Sequence, residues 1–451
     1  MAAIPEHDAL VWRPAGLLET YFATRTSIDY YTSVCVWTKF NRPVEKSRLY
    51  PAMHALIGRN PALSTVVLDS KTKSIKFALA KEIDLDKMIE YRSSSGSFEE
   101  FLAELHDIRF TYDTMTPVWK LFVWNENTVA FVFDHAPFDG VSGALFHVQL
   151  ANLLNDQSAV LSEELSPIVN VDQSTKLAPA LESIVSTSPP LWFVARMLLA
   201  EFGPKWGLSE PAERYGNIFA PYTHPVEGTT YRILEIPAER VKVLLHKCRA
   251  HNTTMTGLFH TMLLMGMSKA YIGVRGFQTS VPINARRFLS SIPDAANEMG
   301  AFVFKYQEVT AAQEEFSWDE VIRFANSLRK GTTRRAGYNL GMLKYLFGNI
   351  SGWMEAKIGK VRQEEVMELS NLGVWKFSGD VSHEDEFAVM SMGFSQPHGT
   401  LNPPICLSSV GVVGGGVTLT LRFSDKIAGH GKGDLVFDLI KKMVDELSEK
   451  D

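Results

Sequence analysis

The sequence predicts an α/β protein of two halves with similar element order. Three observations point there. The chain has 451 residues, more than one ordinary hydrophobic core organises, and suits two domains of about 200 residues each. Strand-like and helix-like patterns alternate in both its early and its late parts. Between the two series, from Asn155 to about Thr187, the sequence turns polar and poor in aromatics, with scattered Ser and Pro, as a linker or excursion would. The boundary is placed near residue 190, giving halves 1–190 and 191–451. No sequence repeat of fixed period occurs, so the likeness of the halves rests on element order alone.

In the first half, Trp12 to Phe22 reads as a short helix or turn, and Tyr30 to Phe40 as a strand. Arg13, Glu19 and Arg25 are charges set in this apolar stretch, either at segment ends or in an internal ion pair. Leu49, Met53, Leu56 and Ile57 have helical spacing, stopped at Gly58. Leu63–Leu68 and Ser74–Leu79 read as strands, and Ser97–Phe110 as a helix. Trp119–Trp124 and Thr128–Asp134 flank Asn125-Glu126-Asn127 as a β-hairpin.

Thr128 to Phe133 is apolar throughout, the pattern of a strand buried on both faces. It runs into Asp134-His135-Ala136-Pro137-Phe138-Asp139-Gly140. Pro137 and Asp139-Gly140 make a turn, and Ser142 can cap a helix carrying Leu145, Val148, Leu150 and Leu153. His135 and Asp139 are therefore fixed between buried elements, where a polar side chain needs a partner or a purpose.

The second half opens with an apolar helix, Leu191–Phe202, that either packs on a domain or touches a membrane surface. Tyr231–Ile236 reads as a strand, Pro237–Ala250 and Thr256–Tyr271 as helices, and Gly276–Asn284 as a strand ending in Pro282-Ile283-Asn284-Ala285-Arg286-Arg287. Gly300–Tyr306 is a strand and Trp318–Lys330 a helix. A basic cluster follows, Arg329, Lys330, Arg334 and Arg335, which either complements a helix C-terminus or contacts phosphate. Met367–Trp375 holds Ser370-Asn371-Leu372-Gly373 inside an apparent strand. Val410–Phe423 gives two strand segments bent at Gly414, Gly415 and Gly416, and Leu435–Leu447 a final amphipathic helix.

A net charge of −6 with pI near 6.1 argues against a nucleic-acid partner. Cys35, Cys248 and Cys406 lie far apart, without disulfide-framework or metal-ligand spacing, so no metal is expected. The N-terminus lacks a basic segment followed by an apolar run. The stretch Leu191–Leu199 is broken by Arg196 and too short to span a bilayer, which takes about 20 residues. A cytoplasmic monomer is expected, with attachment to membranes or lipid droplets as the alternative.

Four features together resemble the fungal alcohol acetyltransferase family, within the CoA-dependent acyltransferases of chloramphenicol acetyltransferase-like fold. They are His135-x-x-x-Asp139-Gly140, the segment Arg13-Pro14-Ala15-Gly16-Leu17-Leu18-Glu19 with Tyr21-Phe22 and Arg25, the Pro282 to Arg287 strand end, and Ser370-Asn371-Leu372-Gly373. The resemblance covers about residue 12 to about residue 425, and the order of the features makes it more specific than His-x-x-x-Asp alone. It implies two similar α/β domains, each a mixed β-sheet with helices, around a central channel that acyl-CoA and the acceptor enter from opposite faces. It also implies a strand within 365–425 that crosses back to the first sheet. Asp134 stands where the related condensation domains carry a second histidine, which makes a condensation domain the less fitting relative.

Acyl transfer from a thioester needs a base for the acceptor proton, and histidine suits it because its pKa lies near neutrality. His135 is the candidate base. Asp139, in the resemblance, turns away and pairs with an arginine, Arg286 or Arg287; capping the next helix is its rival role. Gly140 is expected to allow a tight turn and leave room for a ligand. The oxyanion needs a positioned donor, worth about 3 kcal/mol, for which Thr279, Ser280, Ser370 and Asn371 are candidates. The basic cluster is the candidate contact for acyl-CoA. The expected reaction is O-acylation, acetyl-CoA being the expected donor and an alcohol or natural product the acceptor. N-acylation of a sphingoid-like amino alcohol and a non-catalytic binding role are the alternatives. His147, His251 and His260 have no matching context and read as ordinary histidines.

Overall fold

The computed structural model describes residues 11–156, 166–202, 219, 221–360, 365–380, 382–383 and 385–449. The first half begins with β1 (Trp12–Pro14), helix α1 (Leu17–Ser27), β2 (Val34–Phe40) and α2 (Lys46–Arg59). Short strands follow: β3 (Thr65–Leu68), β4 (Lys76–Leu79), β5 (Glu82–Asp84) and β6 (Ile89–Arg92). After helix α3 (Phe98–His106) come β7 (Trp119–Trp124), β8 (Thr128–Phe133) and helix α4 (Gly140–Leu154). Asn125 and Glu126 turn the β7–β8 hairpin with positive φ. Within the polar stretch lie β9 (Ile168–Asn170), which pairs with β5, and a helical turn at Leu181–Ile184. Residues 157–165 of that stretch lie outside the described residues.

Helix α5 (Leu191–Phe202) packs through Val194 and through Phe193, whose ring meets Tyr338 edge-on, while Leu191 and Trp192 stay exposed. Next come β10 (Thr229–Ile236), α6 (Ala238–Ala250), α7 (Met255–Ala270), β11 (Gly276–Asn284), β12 (Val303–Ala311), α8 (Trp318–Gly331) and the short α9 (Tyr338–Met342). The chain closes with β13 (Met367–Trp375), β14 (Val389–Ser395), β15 (Ile405–Val412), β16 (Val417–Ser424) and α10 (Lys432–Ser448).

Two mixed sheets organise these elements. The first runs β14-β2-β8-β7-β6, antiparallel except for β6 with β7. Its outermost strand, β14, comes from the later part of the chain. The second runs β10-β16-β15-β13-β11-β12, with β15-β13-β11 parallel. Each has its own apolar cluster: one gathers β2, β8, α2 and α4, the other α7, α10 and one face of the second sheet. β12 starts three residues later than expected because Gly300 and Phe302 bond elsewhere. Gly300 exchanges hydrogen bonds with the Ser142 hydroxyl, and the Phe302 amide donates to Asp139.

Three buried histidines bolt helices to sheets. His106 bonds the Ser33 carbonyl and the Ser395 hydroxyl, His147 the Val36 carbonyl and Thr38 hydroxyl, and His260 the Thr279 hydroxyl. Burial depresses all three, His106 to about 3, His147 to about 4 and His260 well below the ordinary value. Below pH 6.5 the unfolded chain takes up protons that the folded chain refuses, so stability is complete above that pH and falls as the pH drops. Because the unfolded histidines are only half protonated at pH 6.5, each contributes about 1 kcal/mol between pH 6.5 and 5.5, so the three together cost about 3 kcal/mol over that interval. Asp134, which burial raises to about 6, works in the opposite direction but is a single group. Urea midpoints at pH 7.5 and 5.5 check this: a clear fall is expected, smaller in His147→Gln, and equal midpoints would refute it.

Candidate active site

β8 is buried along its whole length and is followed by Asp134, whose main-chain amide bonds the Val118 carbonyl. The Asp134 carboxylate is fully buried. One oxygen accepts from the Tyr112 hydroxyl (2.7 Å) and the Ala136 amide (2.8 Å), the other from the Thr26 hydroxyl (2.7 Å). Thr26 lies one turn beyond Phe22 on α1, and Phe22 stacks flat on the His135 ring, 3.8 Å between centroids at 6°. The tie from Thr26 to Asp134 thus holds the helix that covers one face of His135. Tyr31 approaches the same ring at 5.8 Å.

His135 lines a cleft while its Nδ1 is buried without a well-formed hydrogen bond, leaving Nε2 as the nitrogen available to an acceptor. Burial lowers its pKa to about 4. The carbonyls of His135 and Phe138 and the charge of Asp139 pull upward, and Arg25 pulls downward. The ring is a neutral base at physiological pH.

Asp139 also borders the cleft, but both of its carboxylate oxygens are taken by protein partners. It is the N-cap of α4, accepting from the Ser142 amide (2.8 Å) and hydroxyl (2.9 Å). It also receives two hydrogen bonds from Arg286, at 2.7 and 2.9 Å, and one from the Phe302 amide at 3.1 Å. The two roles weighed from sequence coexist. The ion pair is almost completely buried, with 3% of the arginine and 5% of the aspartate side chain exposed. Burial alone would push the Asp139 carboxyl up; the charge and hydrogen bonds of Arg286 and those of Ser142 outweigh it and hold it below the ordinary value. Arg286 also donates to the Glu298 carbonyl.

Several expectations are corrected. Arg287 is not the partner: it is exposed, donates to the Thr332 carbonyl and lies over Phe288. Ser142 sits three residues inside α4 as the second member of a capping box, not at the cap. Gly140 has no positive φ, and its missing side chain makes room for Leu372 of the other half. A Cβ there would stand 2.8 Å from the Leu372 Cδ2. Arg13 and Glu19 form an internal pair with two 2.7 Å bonds, and Arg25 is buried over the Tyr31 ring.

The cleft between the halves has a volume of about 60 Å³. Val34, His135, Asp139, Gly140 and Val141 form one wall and Pro282, Asn284, Val303, Ser370, Asn371 and Leu372 the other, with Phe394 and Gln396 from the β14 segment. A second depression of about 400 Å³ is bordered by Tyr31, His224, Tyr231 and His398. The Tyr31 hydroxyl donates to Gln396 (3.4 Å), which borders the first cleft.

Of the oxyanion candidates, Ser370 and Asn371 line the His135 cleft, and Thr279 and Ser280 do not. The reason is the two-residue period of a strand. Thr279 is on the face that packs against α7, bonded to His260 at 3.1 Å. Ser280 is on the opposite face but already donates to Glu368 at 3.2 Å. The Asn371 amide is committed to Thr256 and the Gly373 amide, whereas the Ser370 hydroxyl has no hydrogen-bond partner among the described residues. Arg329 and Lys330 are exposed in the last turn of α8 and border neither cleft; the side chains of Arg334 and Arg335 lie outside the described residues.

Two supporting groups, Thr26 and Tyr112, are not singled out by the sequence, and Phe22 is named there only within the Arg13 to Arg25 segment, without a role. Asp134, a carboxylate following a wholly buried strand, was the available signal that partners had to exist. The three cysteines are free and buried, no group of residues that could hold a metal occurs among the described residues, and no described helix is long and apolar enough to cross a membrane.

Comparison with known proteins decides the family, since the alcohol acetyltransferase profile matches residues 14–432. The chain belongs to the alcohol acetyltransferase family. An uncharacterised Schizosaccharomyces pombe protein is 25% identical over 428 residues, covering 92% of each chain. A probable alcohol acetyltransferase of Fusarium pseudograminearum is 20% identical, covering 97% of this chain and 92% of its own. Among solved structures, the trichothecene 15-O-acetyltransferase TRI3 of Fusarium sporotrichioides superposes with TM-score 0.72 at 11% identity, over 99% of this chain and 96% of its own. The starter condensation domain of rhizomide synthetase RzmA, solved with C8-CoA, follows at TM-score 0.64 and 11% identity, over 97% and 95%. At these identities the structures show the shared two-lobed acyltransferase fold. Membership of the acetyltransferase family makes this chain an acyltransferase.

Proposed function

We propose that the chain transfers an acetyl group from acetyl-CoA to the hydroxyl of an alcohol or natural product, by direct attack with both substrates bound. The observation that carries this reading is His135, a neutral imidazole held against Phe22 in a cleft between the two halves. Its Nε2 takes the acceptor proton as the acceptor oxygen bonds to the thioester carbon. The same nitrogen returns the proton to sulfur as the C–S bond breaks. Ser370, whose hydroxyl is uncommitted, donates to the oxyanion between these steps.

No covalent acyl-enzyme is required. All three cysteines are buried, and burial raises their thiols well above neutrality, Cys248 and Cys406 to about 12. Asp139 and Arg286 hold the loop without touching substrate.

The test is incubation with acetyl-CoA and a mixed panel of alcohols and amines, followed by mass spectrometry. An acetylated alcohol is expected. Products confined to amines would move the reaction to nitrogen, and no acetylated product from any member would overturn the reading.

A further inference from the structure

The second sheet is unusual in what it turns toward the first half. One face carries Met367, Leu369, Leu407 and Leu421 against the helices. The other carries, in register across four strands, Ser280, Glu368, Cys406 and Arg422. This polar face looks onto the seam between the halves, where Gln396 donates to Glu368 at 2.9 Å. Side chains alternate along β11 and β12, so residues paired opposite each other share a face. Lys305 pairs with Pro282, which borders the His135 cleft, and stands two residues beyond Val303, which borders it too. That spacing puts Lys305 about 7 Å farther along the same wall.

Lys305 is held in an ordered chain of polar groups. Its ammonium pairs with Glu365 at 2.6 Å, Gln307 donates to the same carboxylate oxygen, and Asn339 of α9 donates to Gln307 at 3.2 Å. Tyr21 of α1 and Glu368 also lie within its electrostatic reach. Even so, 44% of the Lys305 side chain is open to water, against 18% for Glu365. An ammonium and a carboxylate side by side match a hydroxyl group, which accepts from one and donates to the other. A phosphate or carboxylate would meet the repulsion of Glu365 and Glu368, so the CoA phosphates do not suit this position.

We propose that Lys305 and Glu365 form a subsite for a second hydroxyl on the acceptor, so that a polyhydroxylated molecule, and not a simple alkanol, is the substrate class. The proposal rests on the acyl-transfer reading above. It is tested by comparing linear α,ω-diols with 1-alkanols of the same length as acceptors, for the wild-type protein, Lys305→Met and Glu365→Gln.

The wild type is expected to favour the best diol over its matched alkanol by at least ~10-fold in kcat/KM, the size expected for a hydrogen bond to a charged group. Lys305→Met should erase that preference while leaving alkanol turnover and the KM for acetyl-CoA unchanged, which also shows that the variant folds. Glu365→Gln should reduce the preference. Equal use of diols and alkanols by the wild type would overturn the subsite and leave the acyl-transfer reading standing. A rise in the acetyl-CoA KM in Lys305→Met would overturn it by placing the pair on the CoA side. No transfer to either class by the wild type would overturn both.

Discussion

Arg286→Leu is expected to destabilise the protein by about 3 to 5 kcal/mol, because it leaves the Asp139 carboxylate buried without its counter-charge. The effect extends beyond one ion pair. Asp139 accepts from α4, from Arg286 and from the Phe302 amide, and Ser142 bridges to both the amide and the carbonyl of Gly300. These bonds clamp the N-terminus of α4 to the turn that connects β11 with β12, and so hold the two halves together at the histidine loop. The double variant Asp139→Leu/Arg286→Leu removes both charges and should recover part of the loss. Denaturation midpoints of the single and double variants check this. A double variant as unstable as Arg286→Leu would show that hydrogen bonding and packing, not the unpaired charge, set the cost.

His135→Ala is expected to lower kcat by about 10³-fold, within the range for loss of a positioned general base. The KM for acetyl-CoA should stay near the wild-type value, since in the proposed reaction the imidazole acts on the acceptor proton and not on the nucleotide. The fold should survive, because His135 makes no hydrogen bond that joins elements and the Asp139–Arg286 clamp is untouched. The stack on Phe22 is lost, which is worth about 1 kcal/mol. A variant with unchanged melting and unchanged turnover would remove His135 from the chemistry.

His135 and Asp139 are legible in the sequence for the same reason. An apolar run fixes β8, the apolar pattern after Gly140 fixes α4, and between them only His135, Asp139 and Asp134 are polar at buried positions. What the sequence left open were choices between neighbours. Arg286 and Arg287 are adjacent in a helical turn and point to different surroundings, one to Asp139 and one to the Thr332 carbonyl. Thr279 and Ser280 are adjacent in a strand and face opposite sides of the sheet. Neither pair can be resolved without knowing which face is inward.

The strand β14 was not individually foreseen. Val389–Ser395 reads Val-Met-Ser-Met-Gly-Phe-Ser, a weak strand pattern, and its register comes from β2, far away in the chain. Gly393 is required by that pairing, since a Cβ there would collide with the Trp37 ring. The role of Phe22 was hidden for the same reason: an aromatic on a helix looks like core until a histidine is found stacked against it.

Direct transfer at a neutral His135 is tested most directly by CoA thiol release. Release should be followed with acetyl-CoA alone and with acetyl-CoA plus an acceptor found in the panel, for the wild type and for His135→Ala. Direct transfer predicts release that depends on the acceptor, matches acetylated product one for one, and falls about 10³-fold in the variant. A stoichiometric burst of thiol without acceptor, or equal release by the two proteins, would contradict it.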